Sequence, residues 1–335
     1  MLWLTLNTCP MWYTIYANRR LRPDPERDAK YAPFVRYDYD QWSYTLAIFT
    51  HAFFLPRLIL GWLSFMICGM IAIVLCIGED PKHLPGWKKT CIVSTCVFIG
   101  NFITLVSGIY ARRKRIHVDY SKYLGEDYEY TYDGAGMHIV NHQSGLDAVI
   151  QYITHTPLVG MLGKREATKI PGGRQLVGPM QHLLVGRDTK DSKDVRNQLL
   201  HDIEERQLAA ERGEAAPLLI FPEGATSNGR AVLQFKRGAF MSLRPVKPHY
   251  SKSWSLTGLN PAHGDPSSML GFINVMVQCG LTFCTVNEMP VFAPNDFFWR
   301  NHWNSEKEEK WEAYARVVRK IIIEQGDFED TECDQ

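Results

Sequence analysis

The chain has 335 residues, with 37 basic and 36 acidic side chains and a formal net charge of +1, so no long-range field draws it to nucleic acid or to a polyacidic partner. Its length suits one large core, or one core with a membrane appendage. Of eight cysteines, Cys68, Cys76, Cys91 and Cys96 fall in apolar stretches and none has a CxxC or Cys/His spacing suited to zinc; reduced structural thiols are expected, and no metal site.

The opening MLWLTLNTCPMWYTIYANRRLRP places its positive charges after its apolar residues, the reverse of a secretory signal peptide. Arg19, Arg20 and Arg22, with no acid before Asp24, leave an uncleaved organelle-targeting role open. Next, QWSYTLAIFTHAFFLPRL spaces aromatic residues along an amphipathic stretch, the composition of a helix at a headgroup boundary or of a plain packing helix. Residues 1–57 are accordingly read as an N-terminal interfacial segment. Leu58 to Gly78 and Cys91 to Tyr110 contain no charged residue, and each has the length of a helix that crosses a bilayer core. The connector EDPKHLPGWKK brings Pro81, Pro85 and Gly86, which favour a turn over a continued helix. Residues 58–115 thus read as a two-helix membrane hairpin. Arg57 before it and ARRKR (residues 111–115) after it place both outer ends on the cytosolic face or its equivalent. Lys82, Lys88 and Lys89 in the connector oppose translocation of the turn, so a spanning and a re-entrant hairpin both stand.

From about Asp119 short apolar runs alternate with polar helical stretches: MHIVNH, LVGML, HLLVGR, PLLIFPEG and TFCTVNEMPVF. This alternation predicts an α/β domain over residues 116–325. DSKDVRNQLLHDIEERQLAAER reads as a surface helix and EEKWEAYARVVRKIIIEQ as a closing one. The acidic residues 326–335 read as a frayed tail.

Two constellations carry chemistry. Asn141, His142, Gln143, Ser144, Gly145, Leu146 and Asp147 follow the strand-like MHIV, at the sheet end where α/β folds gather functional groups. Five residues apart, His142 and Asp147 would lie about 140° apart on one regular helix. They meet only if His142 lies on the loop and Asp147 in the first turn. There the carboxylate would fix the imidazole tautomer and leave the other nitrogen to take a proton from an alcohol. A helix cap with a satisfied polar contact is the bland alternative. Phe221 to Gly229 (FPEGATSNG) follows a second strand-like run; Glu223 there holds a substrate hydroxyl or merely caps a turn. Lys164, Arg165, Lys169, Arg187 and Asp188 lie between these blocks, and arginine suits phosphate because its planar fork matches phosphate oxygens.

NHQSGLD, KREATKIP, LLVGRD, FPEGATSNG and QFKRGAF, in this order, resemble the successive motif blocks of the glycerolipid acyltransferases, in particular the lysophosphatidylcholine and lysophosphatidylethanolamine acyltransferase branch. PFVRYDY and FLPRLILG resemble that branch's membrane-proximal region, and the similarity extends over residues 33 to 322. The resemblance implies an α/β fold, a mixed sheet flanked by helices with an N-terminal membrane hairpin. It implies His142 as general base and Asp147 as its orienting carboxylate. Glu223, Gly224 and Thr226 would belong to the acceptor and phosphate site, and Arg187 and Lys164 would meet phosphate. The implied reaction esterifies a lysophospholipid from acyl-coenzyme A as co-substrate, with no tightly bound cofactor, at a bilayer of the endoplasmic reticulum or else of the mitochondrion. Gly145 in place of an aromatic residue, Ala225 in place of Thr, and QLVGPM depart from the family pattern. They keep one alternative in view, a weak or inactive acyltransferase-like subunit of a membrane protein complex. A hydrolase is disfavoured, since no GxSxG elbow occurs, and Ser144 reads as a cap. No DxDxDG-type loop follows residue 322, so no EF-hand extension is expected.

Overall fold

The computed structural model describes residues 1–18, 25–38, 41, 44–81, 83–155, 159–169, 172–186, 193–262 and 269–332. Helices Leu2–Asn18 (α1), Pro25–Lys30 (α2) and Tyr44–His51 (α3) precede two long ones, Phe54–Leu75 (α4) and Gly86–Val106 (α5). These have 22 and 21 residues and mean hydropathies of 2.5 and 1.7, long and apolar enough for a bilayer core. Ile59, Trp62, Ile67 and Met70 on α4 and Phe98 and Leu105 on α5 are exposed, while Cys68, Ala72, Ile92 and Ile99 are buried. Helices apolar on covered and uncovered faces alike form a hairpin suited to lipid.

The helix α5 stops at Val106 instead of continuing to Tyr110. Gly108 turns the chain at φ +75°, where a Cβ would lie 2.5 Å from the Gly280 carbonyl oxygen. Ile109–Arg115 then forms strand β1. The end of the expected hairpin segment therefore belongs to the sheet, because a hydropathy window cannot tell a helix from the apolar start of a strand that follows it.

The remaining strands are Met137–Val140 (β2), Gly160–Lys164 (β3), Leu183–Val185 (β4), Leu218–Ile220 (β5), Ala231–Val232 (β6), Val246–Ser255 (β7), Thr282–Glu288 (β8) and Glu329–Asp330 (β9). The helices among them are Ser121–Leu124 (α6), Asp147–Thr154 (α7), Gly173–Val177 (α8), Lys193–Glu211 (α9), Met269–Gln278 (α10), Asp296–His302 (α11) and Lys310–Gly326 (α12). Seven strands form one mixed sheet in the order β1-β8-β7-β2-β5-β3-β4. Strands β7, β2, β5, β3 and β4 run parallel, β8 runs antiparallel to β7, and β1 is parallel to β8.

Alternation along the central strands separates two apolar layers. Met137, Ile139, Leu218 and Ile220 pack with Ile203 of α9 and with Tyr314, Val318 and Ile322 of α12. Val140 and Leu219 instead face Ala148 and Tyr152 of α7. Fully burying each such aliphatic side chain contributes about 1.5–3 kcal/mol. The hairpin leans on the second layer: a Cβ at Gly100 of α5 would touch Ile153 and Val149 of α7, and Leu176 of α8 packs against the cluster of Ala72 in α4, Cys76 just after it and Ile92 of α5.

Two stretches behave differently from their composition. The longest strand, β7, reads VKPHYSKSWS, and its first six residues are buried; Lys247 is there because it pairs with buried Glu288. At the carboxyl end, β9 pairs with β6, Phe328 is buried, and Glu329 and Asp330 bind Arg230 and Arg319. The start of the expected frayed tail is held by that apolar anchor and two ion pairs.

Candidate functional site

The parallel strands deliver their carboxyl ends to one edge of the sheet, the place where open α/β sheets form their crevice. His142 follows β2 on a loop, and Asp147 is the first residue of α7. The sequence turns sharply between them, which brings His142 Nδ1 to 2.9 Å from Asp147 Oδ2. The same oxygen accepts the backbone N–H groups of Gln143 (2.7 Å) and Ser144 (2.8 Å). Asp147 thus orients the ring and fixes the loop together. Its side chain is 5% exposed, that of His142 23%. The His142 ring lies on Phe221, with centroids 4.2 Å apart and planes 22° apart. Because Nδ1 faces the carboxylate, Nε2 is the nitrogen left for chemistry.

Glu223, on the loop after neighbouring β5, sits behind this pair. Its Oε1 accepts the His142 backbone N–H at 2.6 Å and its Oε2 accepts that of Leu233 at 2.7 Å. Burial pushes its carboxyl up to about 8, against the pull of the two amides, while Asp147 pushes the same way as burial. With both oxygens occupied and 1% exposure, Glu223 serves as a strut between β2, β5 and β6, and these contacts do not present it to a substrate hydroxyl. Ser227 adds a second strut, its N–H donating to the His142 carbonyl at 2.9 Å.

Gly224 is exposed and adopts φ +74°, which a side chain would resist; the stem of Lys236 runs alongside it. Lys236 therefore brings a cation to the FPEG turn, and its place within QFKRGAF was the signal for it. Thr226 is half-buried in the same loop, and Lys164 is exposed at the carboxyl end of β3. Arg187 and Asp188 lie outside the described residues, directly after Gly186 at the end of β4.

The amino-terminal segment also reaches the site. Asn228 Nδ2 donates to the carbonyls of Ala32 and Val35 at 2.8 and 2.9 Å. Arg36, buried, binds Asp38 at 2.5 Å and the carbonyls of Asn260 and Ala262. PFVRYD is thus a buckle on the FPEGATSNG loop, a role its composition does not announce.

Three further histidines meet behind the sheet. His138 (β2), His155 (after α7) and His249 (β7) are buried with ligand nitrogens all within 4.8 Å of one another. Burial pushes His155 down to about 4 and His138 and His249 well below their ordinary value, with Lys247 and Arg113 pushing the same way. A divalent cation placed there would meet the same two positive groups, so we assign the cluster no metal.

Comparison with known proteins gives the arrangement a context. Residues 115–250 match the family model described as Acyltransferase. The chain is 27% identical over 271 residues to Lysophospholipid acyltransferase LPEAT1 of Arabidopsis thaliana, covering 75% of this chain and 63% of that protein. It is 28% identical over 197 residues to Lysophosphatidylcholine acyltransferase 2 of Homo sapiens, covering 55% and 31%. The chain thus spans under two thirds of the length of these relatives. The 1-acyl-sn-glycerophosphate acyltransferase PlsC of Thermotoga maritima superposes with a TM-score of 0.45 at 14% identity, covering 83% of this chain and 99% of that one.

Proposed function

We propose, from the match of residues 115–250 to the Acyltransferase family model and the similarity to lysophospholipid acyltransferases, that this chain transfers a fatty acyl group from acyl-coenzyme A to the free hydroxyl of a lysophospholipid held in a membrane. One observation carries the reading: the 2.9 Å contact between His142 Nδ1 and Asp147 Oδ2 in a part-exposed site. It leaves Nε2 as a proton acceptor with a fixed tautomer.

The glycerol oxygen attacks the thioester carbonyl while His142 Nε2 takes its proton. The new C–O bond forms, the C–S bond breaks, and the imidazolium returns the proton to the departing coenzyme A thiolate. Proton transfer of this kind contributes about 10²–10⁴-fold. Asp147 stabilises the imidazolium through Nδ1, and Glu223 holds the His142 backbone so that the ring stays on Phe221. Lys164 at the end of β3, Lys236 beside Gly224, and Arg187 and Thr226 from their sequence motifs, are proposed to take the phosphates of acceptor or donor. No resident metal or cofactor enters the scheme.

The test is an assay of the full chain in vesicles with labelled acyl-coenzyme A and a panel of lysophospholipids. Labelled diacyl phospholipid is the expected product. Release of free fatty acid alone, or no turnover with any acceptor, overturns the reading and favours a hydrolase or an inactive subunit.

A further inference from the structure

The outer face of the sheet at β7, β8 and β1 is graded. In the register of these strands Trp254 pairs with Phe283 and Phe283 with Tyr110; two residues on, Lys252 pairs with Thr285 and Thr285 with Arg112. The alternate residues, Cys284, Val286, Ile109 and Ala111, point inward and pack with Ile150 of α7. Trp254 and Phe283 stack at 4.5 Å and 18°, and Tyr110 lies 6.1 Å from Phe283. Trp254 is 57% exposed and Tyr110 63%. One step beyond this row, Leu256 donates its N–H to Leu281, and both leucines are exposed. Successive rows are about 6.8 Å apart, since a strand advances about 3.4 Å per residue. The order is therefore leucine, then aromatic, then cationic.

Scattered exposed apolar residues need no explanation, but a contiguous apolar patch with a polar rim does. The order here matches the layers of a bilayer surface: acyl chain, aromatic belt, phosphate. The leucine end is also the end from which the hairpin emerges, because exposed Leu105 lies in the last turn of α5 and β1 leads away from that turn. We propose that this corner of the sheet is a second bilayer-contact surface. Trp254, Phe283 and Tyr110 sit at the acyl–headgroup boundary, and Lys252 and Arg112 at the lipid phosphates. The proposal deepens the function above and rests on its reading of a membrane-held acceptor. It also sets the depth of the base. Asn141 exchanges hydrogen bonds with the Ser251 backbone across β2 and β7, so His142 stands level with Lys252, in the phosphate layer.

The experiment needs no turnover. The full chain is reconstituted in vesicles of phosphatidylcholine and phosphatidylserine that include a phospholipid with a diazirine high on its acyl chain, and adducts are mapped by mass spectrometry. Peptides holding Trp254–Leu256 and Leu281–Phe283 should be labelled as strongly as the exposed face of α4. Labelling at this corner should fall several-fold in Trp254→Glu, with α4 unchanged. Labelling confined to the hairpin, or labelling of this corner that is the same in Trp254→Glu as in the parent chain, overturns the proposal. A labelled corner in a chain that acylates no lysophospholipid sustains this surface and removes the acyl-transfer reading instead.

Discussion

Strand β2 brings two histidines to the sheet, His138 and His142, and they have opposite fates. His142 lies past the strand's end, part-exposed, with a carboxylate on Nδ1. His138 lies inside the strand and is buried, and its Nδ1 has no hydrogen-bond partner among the described residues. Desolvation and the charges of Lys247 and Arg113 disfavour a proton on His138. A residue type alone does not nominate a proton acceptor; His142 is the candidate because it has a strand end, a partner carboxylate and partial exposure, which His138 lacks.

The largest expected effect breaks the His142 side of this contrast. In His142→Ala the steady-state acyl-transfer rate should fall by about 10²–10⁴-fold, with recovery in membranes and melting temperature nearly unchanged. A near-normal rate would remove His142 as the base. Asp147→Asn keeps an oxygen that can accept from the ring and the two amides but loses the charge that stabilises an imidazolium. Its rate should drop less, by about 10²-fold, near the lower end of what proton transfer supplies. An unaltered rate and pH profile would show that the carboxylate only shapes the loop.

Glu223 gives a smaller effect with a distinct pH signature. Its carboxyl stands at about 8 in the folded chain against an ordinary 4.5. Between those values the folded state holds a proton that the unfolded state has released, so stability falls as pH rises, by up to about 1.4 kcal/mol per unit. Glu223→Gln removes that slope and sets an amide donor against a backbone N–H. A several-fold loss of rate and a flatter dependence of unfolding free energy on pH between 5 and 8 are expected. An unchanged slope in denaturant titrations would mean that Glu223 ionises normally.

The hairpin, the strands before each loop and the His142–Asp147 pair were legible because each depends on local pattern: uncharged runs of helical length, apolar strands, and a spacing that closes at a helix start. What escaped depends on partners distant in sequence. Strand β7 looks polar because Lys247, His249 and Ser251 face buried groups from β8, β2 and α7. The Arg36–Asp38 buckle exists only once Asn228 and Asn260 are folded against it. In sequence Glu223 reads as the holder of a substrate hydroxyl or as a turn cap, yet its two amide donors come from positions 142 and 233.

The smallest expected effect tests the other histidine. His138 sits among Lys247, His155 and His249, and His249 keeps both ring nitrogens unpartnered among the described residues. Leaving a buried polar nitrogen unsatisfied costs about 1–3 kcal/mol, whereas an apolar side chain of similar shape carries no such penalty. His138→Leu should therefore change the acyl-transfer rate less than about twofold and leave stability equal or higher, since leucine keeps most of the volume and needs no partner. Rates are read in the same vesicle assay as for His142→Ala, and stability by denaturant titration. A fall in rate comparable to that of Asp147→Asn would show that β2 transmits the buried cluster to the site, and the contrast between the strand's two histidines would fail.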